Sequence, residues 1–67
     1  MDARKDELEA LVDTLGLERV LELLGEVCCD KADHLRTNWQ DEAQARAWER
    51  SAKVLDKASA SDKLVRF

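Results

Sequence analysis

The residues of this chain with the most reactive side chains lie close together between positions 28 and 34. This short segment contains Cys28, Cys29, Asp30, Asp33 and His34. Asp30 precedes His34 by one helical turn, and a carboxylate and an imidazole at that spacing share a helix face and suit zinc. The chain has no second Cys-x-x-Cys or Glu-x-x-His element to complete the coordination. We therefore expect no metal site, and we interpret His34 as a residue that packs near Trp39.

The two cysteines and the single histidine also bear on covalent catalysis. Cys28 and Cys29 are adjacent, and neighbouring side chains on a helix point about 100° apart, so the pair cannot form an ordinary disulfide bond. No glycine-rich elbow surrounds any serine. We interpret Cys28 as a small core residue and Cys29 as a residue near a helix boundary. The sequence therefore predicts no catalytic residue, no cofactor and no enzymatic activity.

Charge is distributed unevenly along the chain. Residues 1–33 carry ten acids and four bases, whereas residues 34–67 carry five acids and seven bases. The two halves have formal charges of −6 and +2, within a net charge of −4. An overall negative charge argues against general nucleic-acid binding. Halves of opposite sign indicate complementary packing, either within the chain or between copies.

Two charged stripes recur at helical spacing. The acidic stripe consists of Glu18, Glu22, Glu26 and Asp33, and the basic stripe consists of Arg46, Arg50, Lys53 and Lys57. We interpret both stripes as solvated helix faces with some interhelical ion pairs, each worth about 0–1 kcal/mol. In the alternative interpretation the basic stripe binds nucleic acid or nucleotide phosphates. That signal is weak, because no aromatic residues or glycines are interleaved with the bases.

The elements that carry these residues are predicted to be helices. Proline is absent and glycine occurs only twice, which favours helix throughout. Apolar residues spaced by three and four predict helices over residues 3–15, 17–36 and 42–58, followed by a tail over residues 59–67. Gly16 is expected to end the first helix, and the alternative is a helix that continues through it. Asp41 and Gln44 fit a capping box that starts the third helix, and Asn38 is the alternative cap.

The predicted fold class is all-α, with residues 1–67 forming a single small domain. Helices two and three form an antiparallel hairpin, and the short first helix packs across them. The predicted core consists of Leu8, Leu11, Leu15, Val20, Leu21, Leu24, Val27, Cys28, Leu35, Trp48, Ala52 and Leu55. The tail either frays or docks Leu64, Val65 and Phe67 onto an open face. A chain of this length buries only about 60% of its unfolded surface, so the core is expected to be incomplete.

The expected location is the cytoplasm. The N-terminal residues lack the apolar stretch of a signal peptide. No apolar run approaches the length of a membrane span. We therefore expect no association with a membrane.

Several short motifs carry a resemblance to other proteins. They are Leu24-x-x-Val27-Cys28, Lys31-Ala32-Asp33-His34-Leu35-Arg36, Asn38-Trp39-Gln40-Asp41 and Ala47-Trp48-Glu49-Arg50. The stretch from Val20 through Ala52, about half the chain, resembles small helical proteins of unknown function from proteobacterial genomes, often in phage or prophage regions. The resemblance implies a small accessory protein of mobile-element origin. It supplies no reaction and no catalytic residue.

The expected function is that of a non-enzymatic accessory or regulatory protein that binds another protein through an apolar helical face. The residues expected to contact the partner are Leu17, Leu23, Val27 and Trp39. We also expect a homodimer, because small domains with thin cores often complete them by oligomerising. In that dimer the acidic stripe of one copy faces the basic stripe of the other, in an antiparallel two-fold arrangement.

Overall fold

The regular structure of the protein is entirely helical within residues 2–65, which the computed structural model describes. Helix α1 spans Ala3–Leu15, α2 spans Leu17–His34 and α3 spans Glu42–Ser59. A π-helical turn, Leu35–Trp39, continues α2 beyond the predicted end at residue 36. Helices α2 and α3 pack closely against each other as a hairpin. The predicted all-α fold with a helical hairpin and a short N-terminal helix is therefore confirmed.

A single residue, Gly16, separates α1 from α2. Its φ of 88° and ψ of 150° lie in a region of backbone conformation that is essentially restricted to glycine. The N–H of Gly16 donates to the carbonyl of Val12 at 2.8 Å and closes α1, while its carbonyl accepts the N–H of Val20 at 3.2 Å and opens α2. Asp2 caps the start of α1, since its carboxylate accepts the N–H of Arg4 at 2.9 Å.

The turn between α2 and α3 is closed by the carbonyl of Leu35. That carbonyl accepts the N–H of Gln40 and, at 3.1 Å, the N–H of Asp41. Gln40 has a left-handed backbone with a φ of 51°, which reverses the chain direction. Asp41 caps α3 as predicted, because its carboxylate accepts the N–H of Gln44 at 3.0 Å. The N–H of Asp41 is bonded to Leu35, so this turn bond replaces the reciprocal half of a capping box.

Small side chains dominate the interface between α2 and α3. The buried residues of the two helices are Val20, Cys28 and Ala32 on α2 and Ala45, Ala52 and Ser59 on α3. Ala32 and Ala45 are the least accessible of them, at 1% and 0% exposure. Larger side chains at the edges of the interface are half-buried: Leu21, Leu35, Trp48 and Leu55. Because the central side chains are short, the two helices approach closely and their backbones contribute much of the packing.

The predicted core is wrong for five residues that the structure leaves exposed. Their exposed fractions are 52% for Leu8, 48% for Leu11, 42% for Leu15, 41% for Leu24 and 49% for Val27. Helix α1 contributes no buried residue. Within the described part of the chain, no Cα atom of α1 lies within 8 Å of one in α3. The expectation that α1 packs across both hairpin helices is therefore also wrong, because the one-residue connection keeps α1 away from α3.

The segment after α3 forms a short irregular turn. The N–H of Ser61 donates to the carbonyl of Ala58 at 3.2 Å, and the N–H of Leu64 donates to the carbonyl of Ser61 at 3.3 Å. Leu64 is half-buried, whereas Val65 is 62% exposed. Val65 nevertheless lines a groove with Leu15 and Leu17 at the junction of α1 and α2, so the tail lies beside that junction, and Phe67 lies outside the described residues.

Candidate functional site

The four residues expected to contact a partner differ in exposure and position. Leu17 and Leu23 are half-buried on α2, Val27 is 49% exposed on the same helix, and Trp39 is 71% exposed at the end of the π-helical turn. Leu17 and Trp39 are separated by about 30 Å along the helix axis, at about 1.5 Å per residue. The structure therefore does not bring Trp39 together with Leu17 in one site.

A larger group of exposed apolar side chains is formed by the residues that were expected in the core. We refer to Leu8, Leu11 and Leu15 of α1 together with Leu24 and Val27 of α2 as the exposed apolar set. The leucines of α1 follow each other at spacings of three and four, so they form one stripe. Leu24 and Val27 likewise share a face of α2. Among residues 2–65, these five make up most of the large apolar side chains with high exposure.

The position of Gly16 in the sequence could have indicated that the leucines of α1 are exposed. Connections between packed helices usually contain about two to eight residues, enough for the chain to reverse and cross its neighbour. Here one glycine stands between two strongly helical stretches. Such a short connection leaves α1 no loop with which to cross the hairpin, so its leucines have no second helix to pack against.

The two cysteines occupy different environments on α2. Cys28 is buried against the hairpin partner, as predicted for a small core residue. Cys29 is exposed and lies inside α2, so its predicted place near a helix boundary is wrong, because the helix continues without a break to His34. The structure therefore leaves one thiol accessible and the other enclosed.

Arg36 forms the centre of a charged cluster that residue spacing does not indicate. Its guanidinium donates to Glu42 through Nε at 2.8 Å and through Nη2 at 2.9 Å, and Nη2 also donates to Glu49. Nε of Arg46 donates to Oε1 of the same Glu42 at the longer distance of 3.4 Å. We call Arg36, Glu42 and Glu49 the Arg36 cluster. It ties the π-helical turn to α3.

The Arg36 cluster shifts two pKa values. Hydrogen bonds from Arg36 hold the pKa of the Glu42 carboxyl below its usual value. Hydrogen bonds to Glu42 and then to Glu49 raise the pKa of the Arg36 guanidinium above its usual value. All three side chains are substantially exposed, so solvent screens their attraction. The main effect of the cluster is therefore geometric, because the bidentate hydrogen bonds from Arg36 to Glu42 fix the π-helical turn relative to α3.

His34 lies next to Trp39, as expected. The indole N–H of Trp39 donates to Nε2 of His34 at 3.3 Å, and the side-chain amide of Asn38 lies 2.8 Å from Nδ1. A neutral imidazole accepts at only one ring nitrogen, so the tautomer decides whether His34 accepts from the Trp39 indole or from the Asn38 amide nitrogen. Both ring nitrogens thus face donor groups of the turn. The arrangement places the exposed indole of Trp39 beside the His34 ring.

The acidic and basic stripes occupy different surroundings. Glu22 and Glu26 line an open groove of about 880 Å³ between α2 and α3, whose lining also includes Gly25, Ala52 and Lys53. The bases of the basic stripe are all exposed on α3. One of them, Arg46, is paired with Glu42, whereas the other three make no ion pair with the residues that the structure describes: Arg50, Lys53 and Lys57.

Neither a metal centre nor a membrane-spanning element is found in residues 2–65. No group of three or more His, Cys, Asp or Glu side chains there is arranged to hold a metal ion. None of the described helices has the length and apolar character needed to cross a bilayer. Comparison of the chain with protein-family models, curated proteins and solved structures found no match.

Proposed function

We propose that this chain is a small, non-enzymatic interaction protein that acts through its exposed apolar set, and that its first partner is a second copy. The observation that carries the proposal is α1, a 13-residue helix with no buried residue and three leucines that are 42–52% exposed. Isolated helices shorter than about 12–15 residues are marginal in water. A partner that covers the leucines would supply the packing that α1 lacks.

The dimensions of the chain support this proposal. A compact domain of this length has a radius of gyration of about 11 Å, whereas the Cα atoms here give 13.9 Å. A monomeric protein of this mass exposes about 4,300 Å², whereas this chain exposes 5459 Å². The excess of about 1,200 Å² per copy is close to what each subunit contributes to an obligate dimer.

Sedimentation equilibrium at micromolar protein tests the proposal. The expected species has twice the 7.6 kDa chain mass and dissociates progressively on dilution. Leu11→Asp should weaken the dimer by about tenfold or more, because it places a charge in an apolar contact, yet leave the helix content unchanged since Leu11 is exposed within one copy.

The matched control for this substitution is Ala10→Asp. Ala10 is exposed on the side of α1 that faces away from the leucines, since it lies about 200° around the helix from Leu8. The dimer dissociation constant of Ala10→Asp should stay within about threefold of the wild-type value. A single species at the chain mass across a hundredfold dilution series of the wild type would refute the dimer.

The alternative function is binding of nucleic acid or nucleotide phosphates through the basic stripe. It is supported by the exposure of all four bases and by the three that have no ion pair within residues 2–65. Salt-dependent retention on a DNA matrix that is lost on Arg46→Ala/Arg50→Ala substitution would favour this function. Retention that is unchanged by the double substitution would exclude the stripe as the binding surface.

We extend the proposal to the setting in which the protein acts. An accessory or regulatory role, and the phage or prophage origin that the resemblance implies, are consistent with a chain that acts by binding. A cytoplasmic location belongs to the same proposal, since two cysteines that cannot pair with each other gain no disulfide from an oxidising compartment. The genes that flank this one would test the origin, since a mobile element places related functions side by side.

A further inference from the structure

The leucine stripe of α1 cannot be covered by the α3 helix of its own chain. Gly16 alone joins α1 to α2, and no Cα atom of α1 approaches within 8 Å of α3 in the described residues. Leu8, Leu11 and Leu15 therefore lack an α3 neighbour, and only Leu15 lines a groove with the segment after α3, through Val65. Any helix that covers the stripe from the other side has to come from another molecule.

The outer surface of α3 has a strip that suits this stripe. Val54 is 66% exposed, and Arg50 and Lys57 share its face because they lie four residues before it and three residues after it. Ala47 and Ala58 lie seven residues before and four residues after Val54, so they continue the same strip. We call these five residues the α3 strip. It combines short apolar side chains, over which a helix can pack closely, with two bases.

The net charges of the helices favour contact between α1 and α3. Helix α1 contains four acids and two bases, α2 contains five acids and two bases apart from His34, and α3 contains three acids and four bases. Their formal charges are −2, −3 and +1, so α1 is repelled by its own α2 and attracted by an α3. Glu7 and Glu9 flank the leucine stripe, in positions where they can face Arg50 and Lys57.

We propose that α1 of each copy packs against the α3 strip of a second copy, so that the two copies exchange their N-terminal helices around a two-fold axis. The leucine stripe covers Val54, and the acids beside it face the bases of the partner. A dimer with closed two-fold symmetry forms this contact twice, which doubles its contribution to the free energy of dimerisation. The inference rests on the dimer proposed above and identifies the surfaces that form it.

A charge exchange between the two surfaces tests the contact. One variant carries Glu7→Lys and Glu9→Lys, and the other carries Arg50→Glu and Lys57→Glu. Each variant alone brings like charges together at both contacts, so its dimer dissociation constant should rise by about tenfold or more. An equimolar mixture restores opposite charges at both contacts, and its heterodimer should bind within about threefold of the wild-type dimer. Restoration on mixing cannot arise from a contact within one chain.

Matched controls separate the contact from the effect of net charge. Lys31→Glu/Lys63→Glu changes the charge as the α3 variant does, and Asp33→Lys/Asp62→Lys changes it as the α1 variant does, at exposed positions outside both surfaces. Their dissociation constants should stay within about threefold of wild type. Equal weakening by the controls would overturn the inference, because net charge would then explain the result.

The outcomes distinguish this inference from the proposed function. A wild-type chain that is monomeric throughout overturns both. A wild-type dimer together with an α3 variant that dimerises normally overturns only the α1–α3 contact, and points to pairing between the two α1 helices. Failure of the mixture to restore the dimer likewise overturns the contact and leaves the dimer itself standing. Circular dichroism of each variant alone establishes that its helices are intact.

Discussion

Gly25 faces the backbone carbonyl of Ala52 across the hairpin, and a methyl group built on Gly25 would lie 3.9 Å from that oxygen. This distance is an ordinary van der Waals contact, so an alanine fits without moving α3. Because glycine inside a helix is less favourable than alanine, Gly25→Ala should stabilise the protein by about 0.5–1 kcal/mol. Urea unfolding followed by circular dichroism measures the change. A loss of stability would show that α2 and α3 are closer than this contact allows.

Substitution of the other glycine, Gly16, by alanine should change the stability in the opposite direction. Gly16 has a φ of 88° and a ψ of 150°, which an alanine adopts only with strain. Gly16→Ala should therefore destabilise the protein by about 1–3 kcal/mol. Gly25→Ala is the matched control, since it makes the identical chemical change within a regular helix. Equal stabilisation by both substitutions would mean that the backbone at Gly16 is an ordinary helical one.

The cap of α3 provides a third test. Asp41 accepts the N–H of Gln44, so Asp41→Ala should destabilise the protein by about 1 kcal/mol, whereas Asp41→Ser should retain most of the stability. Thermal unfolding of the two variants measures the difference. Asn38→Ala is informative as a control, because Asn38 was the alternative cap and lies instead within the π-helical turn. A larger loss for Asn38→Ala than for Asp41→Ala would contradict the assigned cap.

The contact between Arg36 and Glu42 should make stability depend on pH. Arg36 lowers the pKa of Glu42 in the folded protein, so the stabilisation is complete above the pKa of the unfolded carboxyl and is lost as the pH falls through the lower folded value. Glu42→Gln should therefore lower the melting temperature at neutral pH, and the difference from wild type should shrink on acidification. High salt should shrink it as well, because both side chains are exposed. Glu26→Gln, at an exposed position on α2, is the control. A difference that persists at acidic pH would contradict the ion pair.

Local signals were sufficient to predict the break between α1 and α2 and the start of α3. Gly16 and Asp41 could be assigned from the sequence because each acts on its immediate neighbours, the first through its backbone conformation and the second through its carboxylate. The extension of α2 to Trp39 was missed. It depends on two N–H groups that share the carbonyl of Leu35, which no residue type specifies.

Burial and ion pairing could not be predicted in the same way. Leu8 and Leu24 have the spacing of core residues, but their burial depends on whether another helix reaches them, and the one-residue connection prevents it. Arg36 meets Glu42 and Glu49 only because the turn brings the end of α2 beside α3. The function is still less accessible from the sequence, because an apolar surface indicates binding without identifying what is bound.

The small residues between α2 and α3 bear on the thermodynamics of unfolding. Alanine loses no side-chain conformational entropy on folding, whereas each leucine loses about 0.5–1 kcal/mol, so an interface built around Ala32, Ala45 and Ala52 is ordered at little entropic cost. This interface also exposes little apolar surface to water when α2 and α3 separate. Within a single copy, the heat capacity of unfolding per residue should therefore fall below the usual value of about 12–15 cal/mol/K, and the dimer contact would add to it. The protein would then keep a modest stability that varies little over a wide range of temperature.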